Sequence, residues 1–164
     1  MRVEQVMSHD VKACLASDTL NQATELMWNH NCGFLPVVRD EASRILTGVI
    51  TDHDIAMTAY TQGKTLWAIP VSVATARGVK VCHPSDDIST AEALMRLIQV
   101  HRLPVIDNDG RVVGVVSLND IARSARSETH GREEPSGKGV AETLAAISRP
   151  RNKYRFSIDL EYVE

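Results

Sequence analysis

Residues 48–56 read GVITDHDIA, and residues 114–122 read GVVSLNDIA. Each stretch is a glycine, two aliphatic residues, a hydroxyl residue, two changing positions, and then Asp-Ile-Ala. Gly48 and Gly114, Thr51 and Ser117, and Asp54 and Asp120 all stand 66 residues apart. A fixed step between two such stretches marks an internal duplication, which bears on the fold before any single element does.

The likeness extends upstream. VKACLASDTL (Val11 to Leu20) answers VKVCHPSDDI (Val79 to Ile88) at a step of 68. Leu26-Met27 answers Leu94-Met95, and LPVV (Leu35 to Val38) answers LPVI (Leu103 to Ile106), at the same step. The step then drops to 66, so two extra residues of the first copy fall in its connection RDEASRILT, where the second copy has DNDGRVV. A surface turn is where an insertion is tolerated best.

Each copy predicts the order β-α-β-β-α. VKAC and VKVC are short β-rich runs. Ser17-Asp18 and Ser85-Asp86 are candidate helix caps. Leu20, Ala23 and Met27, and Ile88, Ala91, Leu94 and Met95, recur at helical spacing. LPVV and GVIT predict two buried strands joined by a hairpin, and Asp109-Gly110 is a hairpin-turn signal in the second copy. A last helix begins near Asp54 or Asp120 and carries Ile55 or Ile121 into the core. The fold class is therefore α/β (α+β): two β-α-β-β-α units, residues 1–62 and 63–126, with a C-terminal helix and strand extension over 127–164. In that extension, 127–139 is polar with Gly and Pro and reads as a linker. VAETLAAI reads as a short helix ended near Pro150. YRFSIDLEY alternates apolar and polar residues with the period of a strand.

The composition narrows the function classes. The formal charge of the 164 residues is −3, which disfavours a polyanion-binding surface. No apolar run approaches the ~20 residues that span a bilayer, and the N-terminus MRVEQVMSHD lacks a signal-peptide core. Three cysteines, at 14, 32 and 82, form no CxxC pair; a reduced, cytoplasmic setting follows. Aromatics are only 4%, so the core is built from aliphatics and Met.

The repeated hydroxyl and acid admit two compatible readings. Thr51-x-x-Asp54 and Ser117-x-x-Asp120 each form a capping box with Asp in place of Glu or Gln. The same groups suit an adenosine phosphate. Helix N-terminal N–H groups bind anions, a hydroxyl contacts phosphate, and a carboxylate accepts from the two hydroxyls of a ribose. The glycine ahead of each lets a ligand or another chain segment approach closely.

With these motifs in view, the duplicated unit resembles a tandem pair of CBS domains, the Bateman module, over roughly residues 3 to 125. The signature lies in LPVV…GVITDHDI and HRLPVID…GRVVGVVSLNDI. The resemblance implies a pseudo-twofold pair with two clefts that bind adenosyl ligands (AMP, ADP, ATP, NAD or S-adenosylmethionine) and no required cofactor. It also implies a homodimer and a regulated protein partner that the sequence does not name. Carried onto this chain, one cleft takes Thr51 and Asp54 for phosphate and ribose, with Thr75, Val79 and the backbone of Lys80 along the base. His101 and Arg102 resemble a phosphate-holding His-Arg pair of relatives and are expected to serve this cleft. The other cleft takes Ser117 and Asp120, with Val11 and Lys12 near the base. Gly33 and Phe34 stand there in the places of His101 and Arg102, and Met7 replaces the Thr75-type residue.

Other residues invite stories that their chemistry does not support. Asp52-His53-Asp54 would point in different directions at a helix start, which is unsuited to one metal ion. Cys14 and Cys82 occupy equivalent strand positions and are expected to be buried. Trp28 and Trp67 are expected in the core or at an interface. No nucleophile, base and orienting residue recur together, so the chain reads as a sensor and not an enzyme. A scaffold with vestigial clefts and a single-stranded nucleic-acid binder are the competing readings.

Overall fold

The computed structural model describes residues 1–127 and 137–150. The alternating segment 154–162 and most of the linker lie outside the described residues. The elements run β1 (Cys14–Leu15), α1 (Leu20–Asn29), β2 (Phe34–Val38), β3 (Leu46–Thr51), α2 (Asp52–Gln62), α3 (Val71–Ala74), α4 (Ile88–Ile98), β4 (Arg102–Ile106), β5 (Val112–Ser117), α5 (Leu118–Ser127) and α6 (Gly137–Ile147).

Both predicted helices before the hairpins form, one or two residues later than their expected caps. Thr19 caps α1: its hydroxyl accepts from the N–H of Gln22 at 3.2 Å, and Gln22 Oε1 accepts from the N–H of Thr19 at 2.8 Å. Asp87 stands at the start of α4 in extended backbone, without a side-chain cap. Asp18 and Asp86 do other work. Their Oδ2 atoms accept from the N–H of Leu15 at 2.7 Å and of His83 at 2.8 Å, closing the turn ahead of each helix, a habit of Asp in turns. The inner faces follow the sequence: Leu20, Ala23 and Met27 of α1, and Ile88, Ala91 and Met95 of α4, are buried. Truncating Leu20 to Ala would cost about 2–5 kcal/mol.

The first strands are shorter than predicted. VKAC contributes only Cys14, which with Leu15 beyond it pairs parallel to β2, and VKVC only a single bridge from Cys82 to Val105. The backbone of Val11 is committed elsewhere: its N–H donates to His9 O, and its carbonyl accepts from the Arg44 guanidinium at 2.9 Å. A ladder cannot form on groups already paired. The hairpins β2–β3 and β4–β5 are antiparallel, with Pro36 opposite Val49 and Pro104 opposite Val115. A proline cannot donate, but here it need not. The N–H and carbonyl of Val49 both bond Ala76, and those of Val115 both bond Ser8. The turn at Asp109-Gly110 forms as predicted, with Gly110 at φ +78°.

Those bonds define how the copies join. The segment leading into the second copy completes the first copy's sheet, through Ala76 on Val49, and the N-terminal segment completes the second copy's sheet, through Ser8 on Val115. The cores are exchanged in the same way. Val3 and Met7 pack with Ile88, Met95, Leu103 and Ile121 of the second copy. Ile69 and Val71 pack with Leu20, Leu35, Ile50 and Ile55 of the first. The hairpins are stitched near their turns, Leu46 N–H to Gly110 O and Val112 N–H to Arg44 O, each at 3.0 Å. Helix α6 lies on α4 and α5, burying Thr143 and Ile147.

Candidate functional site

Each repeated motif sits where a buried strand turns into a helix. Ile50 and Val116 are fully buried, which fixes the strand; Thr51 stands in extended backbone one residue before α2. Its hydroxyl accepts from the N–H of Asp54 at 3.1 Å and donates to Asp54 Oδ2 at 2.6 Å; the N–H of Thr51 donates to the same oxygen at 2.9 Å. Ser117 and Asp120 repeat the arrangement at 3.1, 2.5 and 3.0 Å. Both capping boxes are therefore formed, with Asp serving as the acid.

The two acids differ in their second oxygen. Asp120 Oδ1 is held by the Arg123 guanidinium one turn on. The corresponding position in the first copy is Met57, so Asp54 Oδ1 has no such cation beside it. The sequence carried this contrast, but it lies outside the repeated nine residues and was missed.

A helix N-terminus as an anion site does not hold for α2. Its first donors are already engaged: the N–H of Asp52 with Gly33 O at 3.3 Å, that of His53 with Asp52 Oδ1 at 2.8 Å, and that of Asp54 with Thr51. In α5 the N–H of Leu118 is taken by His101 O at 2.9 Å. An anionic ligand would have to be met by side chains. The Asp52-His53-Asp54 run also diverges, Asp52 capping its own neighbour while Asp54 turns back to Thr51.

The antiparallel Val49–Ala76 bridge sets Ala76, with Thr75 next to it, two residues short of Thr51 on β3, and the antiparallel Ser8–Val115 bridge sets Ser8 two residues short of Ser117 on β5; past its bridge the second segment runs toward the start of β5, where the Arg44 guanidinium joins Val11 O and Val112 O. Thr75 donates to Val71 O at 2.7 Å; Lys12 pairs with Asp10 at 2.8 Å. Of a ligand and a chain segment as the close neighbour of the glycines, the structure shows the segment. A Cβ on Gly48 would stand 2.3 Å from Thr75 Cγ2, and one on Gly114 2.6 Å from Met7 Sδ. The hairpin registers place Phe34 opposite Thr51 and Arg102 opposite Ser117. Gly33 and Phe34 thus adjoin the Asp54 box, and His101 and Arg102 the Asp120 box, each within its own copy. For His101 and Arg102 to serve Asp54 they must reach across the boundary between copies. Among the described residues, Arg102 has no carboxylate partner.

A groove of about 350 Å³ opens on the outer side of the first copy, lined by Thr24, Met27, Trp28, Asn31, Cys32, Gly33, Asp52 and Ile55. Trp28 is 85% exposed and Trp67 67%; neither belongs to the core. Tyr60, 83% exposed, and Met57 extend the apolar surface along α2. Cys14 and Cys82 are buried, as expected, and burial pushes their thiols up to about 12 and about 11.

A duplicated β-α-β-β-α unit with exchanged lead segments and one hydroxyl–acid box per copy defines a tandem-repeat module. The chain belongs to the CBS domain family, whose profile matches residues 3–59 and 72–127. It is 33% identical over 120 residues to the CBS domain-containing protein YhcV of Bacillus subtilis, covering 73% of this chain and 82% of that one. It is also 27% identical over 135 residues to inosine-5'-monophosphate dehydrogenase of Methanocaldococcus jannaschii, where it spans only 25% of the relative. Among solved structures, it resembles the CBS domain pair of protein MJ0100 in complex with 5'-methylthioadenosine and S-adenosyl-L-methionine, at 28% identity and TM-score 0.66, covering 75% of this chain and 94% of that one. Hypoxic Response Protein I, solved with two coordinated zinc ions, is similar at 28% identity and TM-score 0.67, with 75% and 98% covered.

Proposed function

We propose that the chain is a non-catalytic regulatory module that binds an adenosyl ligand in the cleft at Thr51 and Asp54, and more weakly in the cleft at Ser117 and Asp120. The observation that carries the reading is Asp54. Its Oδ2 is held by the capping box, and among the described residues Oδ1 takes part in no hydrogen bond or ion pair. Oδ1 can accept from ribose hydroxyls while Oδ2 keeps the helix capped. Thr75, Val79 and the backbone of Lys80 line the base in this reading, and Arg102 with His101 supplies the positive charge for phosphates. At Asp120 the competing Arg123 must first let go, and Met7 stands where Thr75 stands in the other cleft. Val11 and Lys12 belong to that second cleft in this reading, and Gly33 and Phe34, paired with the Thr51 end of β3, would serve it only across the boundary between copies. The complex of the MJ0100 pair with two adenosyl compounds supports the ligand class. Zinc is not part of the reading: among the described residues no group of three or more His, Cys, Asp or Glu is arranged to hold a metal.

The ligand acts on a partner only if it binds two states differently. The module works in the cytoplasm, where its free cysteines stay reduced. It forms a homodimer through the α1–α2 face carrying Trp28, Met57 and Tyr60, because the equivalent α4–α5 face is already covered by α6. Isothermal titration with AMP, ADP, ATP, NAD and S-adenosylmethionine tests the reading. One of these binds, and Asp54→Ala removes the tighter event; heat from none of them leaves the scaffold reading in its place. A ligand at 100 times its dissociation constant adds about 2.7 kcal/mol of stability.

A further inference from the structure

Helix α6 is held on α4 by one polar stripe. Arg96 Nη1 donates to Thr143 Oγ1 at 2.8 Å, and Gln99 Nε2 donates to the carbonyls of Ala146 and Arg149 at 3.2 Å. Three residues along α4 match three residues along α6, so the helices run in the same direction. Four residues back on the stripe is Glu92, at the level of the first turns of α6. Residues at i, i+4 and i+7 share one helix face, and Glu92 is accordingly covered, only 6% exposed. Its Oε1 is shielded from solvent and has no hydrogen-bond partner. A buried carboxylate left this way is among the more expensive groups a packed interface can hold, and protonation is its way out.

The surrounding charges do not remedy the defect. Arg96, the cation on the same stripe, is engaged with Thr143. From α6 comes Glu142, a second negative charge, itself near Lys138 at 3.9 Å. Of the charged side chains described on α5, Asp120 and Arg123 pair with each other. Burial raises the Glu92 carboxyl above the usual carboxylate range, Arg96 pulls it down, and Glu142 pushes it up again.

We propose that Glu92 makes α6 a proton-gated latch: with its carboxyl protonated, α6 closes most tightly over the α4–α5 face, and with the carboxyl ionised, α6 is held less tightly and uncovers that face more often. The sign follows from linkage. The docked state holds the proton more tightly than the open one, so docking is strongest below the ordinary Glu value of about 4.3 and weakens as pH rises through the raised docked value. The latch is independent of ligand binding.

Hydrogen exchange of the full chain, read at the amides of residues 143–147 and corrected for the intrinsic exchange rate at each pH, tests this. One proton released on opening gives a fall in protection of up to about tenfold per pH unit within that window. The amides of α1 in the first copy report global opening and stay level. Glu92→Gln, which keeps the shape and cannot ionise, flattens the α6 profile. Glu142→Gln, which leaves Glu92 in place, raises α6 protection at neutral pH. The latch is overturned if the Glu92→Gln profile keeps the wild-type slope, if α6 protection rises with pH, or if α1 falls in parallel with α6.

Discussion

Gly48 and Gly114 occupy equivalent places in the repeat, yet their replacement by alanine has unequal consequences. At Gly48 a methyl group would stand 2.3 Å from Thr75 Cγ2 and 2.6 Å from the carbonyl oxygen of Ala76. That carbonyl is backbone, and it belongs to the pair of bonds joining Ala76 to Val49 at 3.1 and 2.9 Å. The methyl fits only if the segment withdraws and both bonds break, at about 1 kcal/mol each, with overpacking of about 1–3 kcal/mol added. Gly48→Ala is therefore expected to cost about 3–5 kcal/mol. At Gly114 the closest atom is Met7 Sδ at 2.6 Å, and the backbone oxygen of Ser8 is at 3.1 Å. A thioether swings aside easily, so Gly114→Ala should cost about 1 kcal/mol. With about 2–4 °C per kcal/mol for a chain of this size, calorimetry should show a loss of roughly 6–20 °C against roughly 2–4 °C. Equal losses, or a larger loss at Gly114, would refute the argument that a rigid backbone contact sets the requirement at Gly48. The same substitution shifts the run from Thr75 to Lys80, so adenosyl-ligand affinity should fall with Gly48→Ala and change little with Gly114→Ala.

Arg123→Ala should free Asp120 and tighten the weaker binding event by up to about fivefold, the scale of an exposed ion pair of at most about 1 kcal/mol; an unchanged second affinity in titration calorimetry would show that Arg123 does not compete with ligand. Thr51→Val should remove the α2 cap at a cost of about 1 kcal/mol, seen in urea unfolding, along with the hydroxyl offered to the ligand. Arg102→Ala should weaken ATP more than adenosine; if the Asp54→Ala background abolishes that difference, Arg102 serves the Asp54 cleft across the copy boundary, and if the Asp120→Ala background does, it serves its own copy. Cys32 should react with a thiol reagent at pH 8 while Cys14 and Cys82 stay inert, because burial keeps both thiols protonated until pH nears about 12 and about 11; three fast equivalents would contradict the burial. Trp28→Ala with Tyr60→Ala should move the sedimenting species from dimer to monomer.

The repeat, the hairpins and the hydroxyl–acid boxes were legible because each depends on a local pattern: alternating burial, Asp-Gly at a turn, or a three-residue cap spacing. The exchange of lead segments was not, since Val3 and Ser8 look like any N-terminal residues until Asp86 and Val115 arrive to pair with them. The cap positions slipped for a related reason. Asp18 and Asp86 carry the right chemistry, but their carboxylates close a turn, and neither propensity nor spacing separates that use from capping. Nor could the bare groove by Trp28 be distinguished from core, because the aromatic's exposure depends on α6 covering one copy and not the other.

The exchanged segments also impose an order on how the chain acquires its shape during synthesis. The Arg2 guanidinium donates to the carbonyl of Ser85, 83 residues further along, and Val3 fills a core made of residues beyond it. At about 5–20 residues per second, the segment at Arg2 and Val3 waits roughly 4–17 s after its own synthesis for its seat to exist. During that wait Val3, Val6 and Met7 are unsheltered, and the first copy's sheet stays open at Val49 until Ala76 emerges. Neither copy can reach its final form alone, so the pair should melt in a single transition, and a nascent chain stopped before residue 82 should be bound by a chaperone that recognises extended apolar segments.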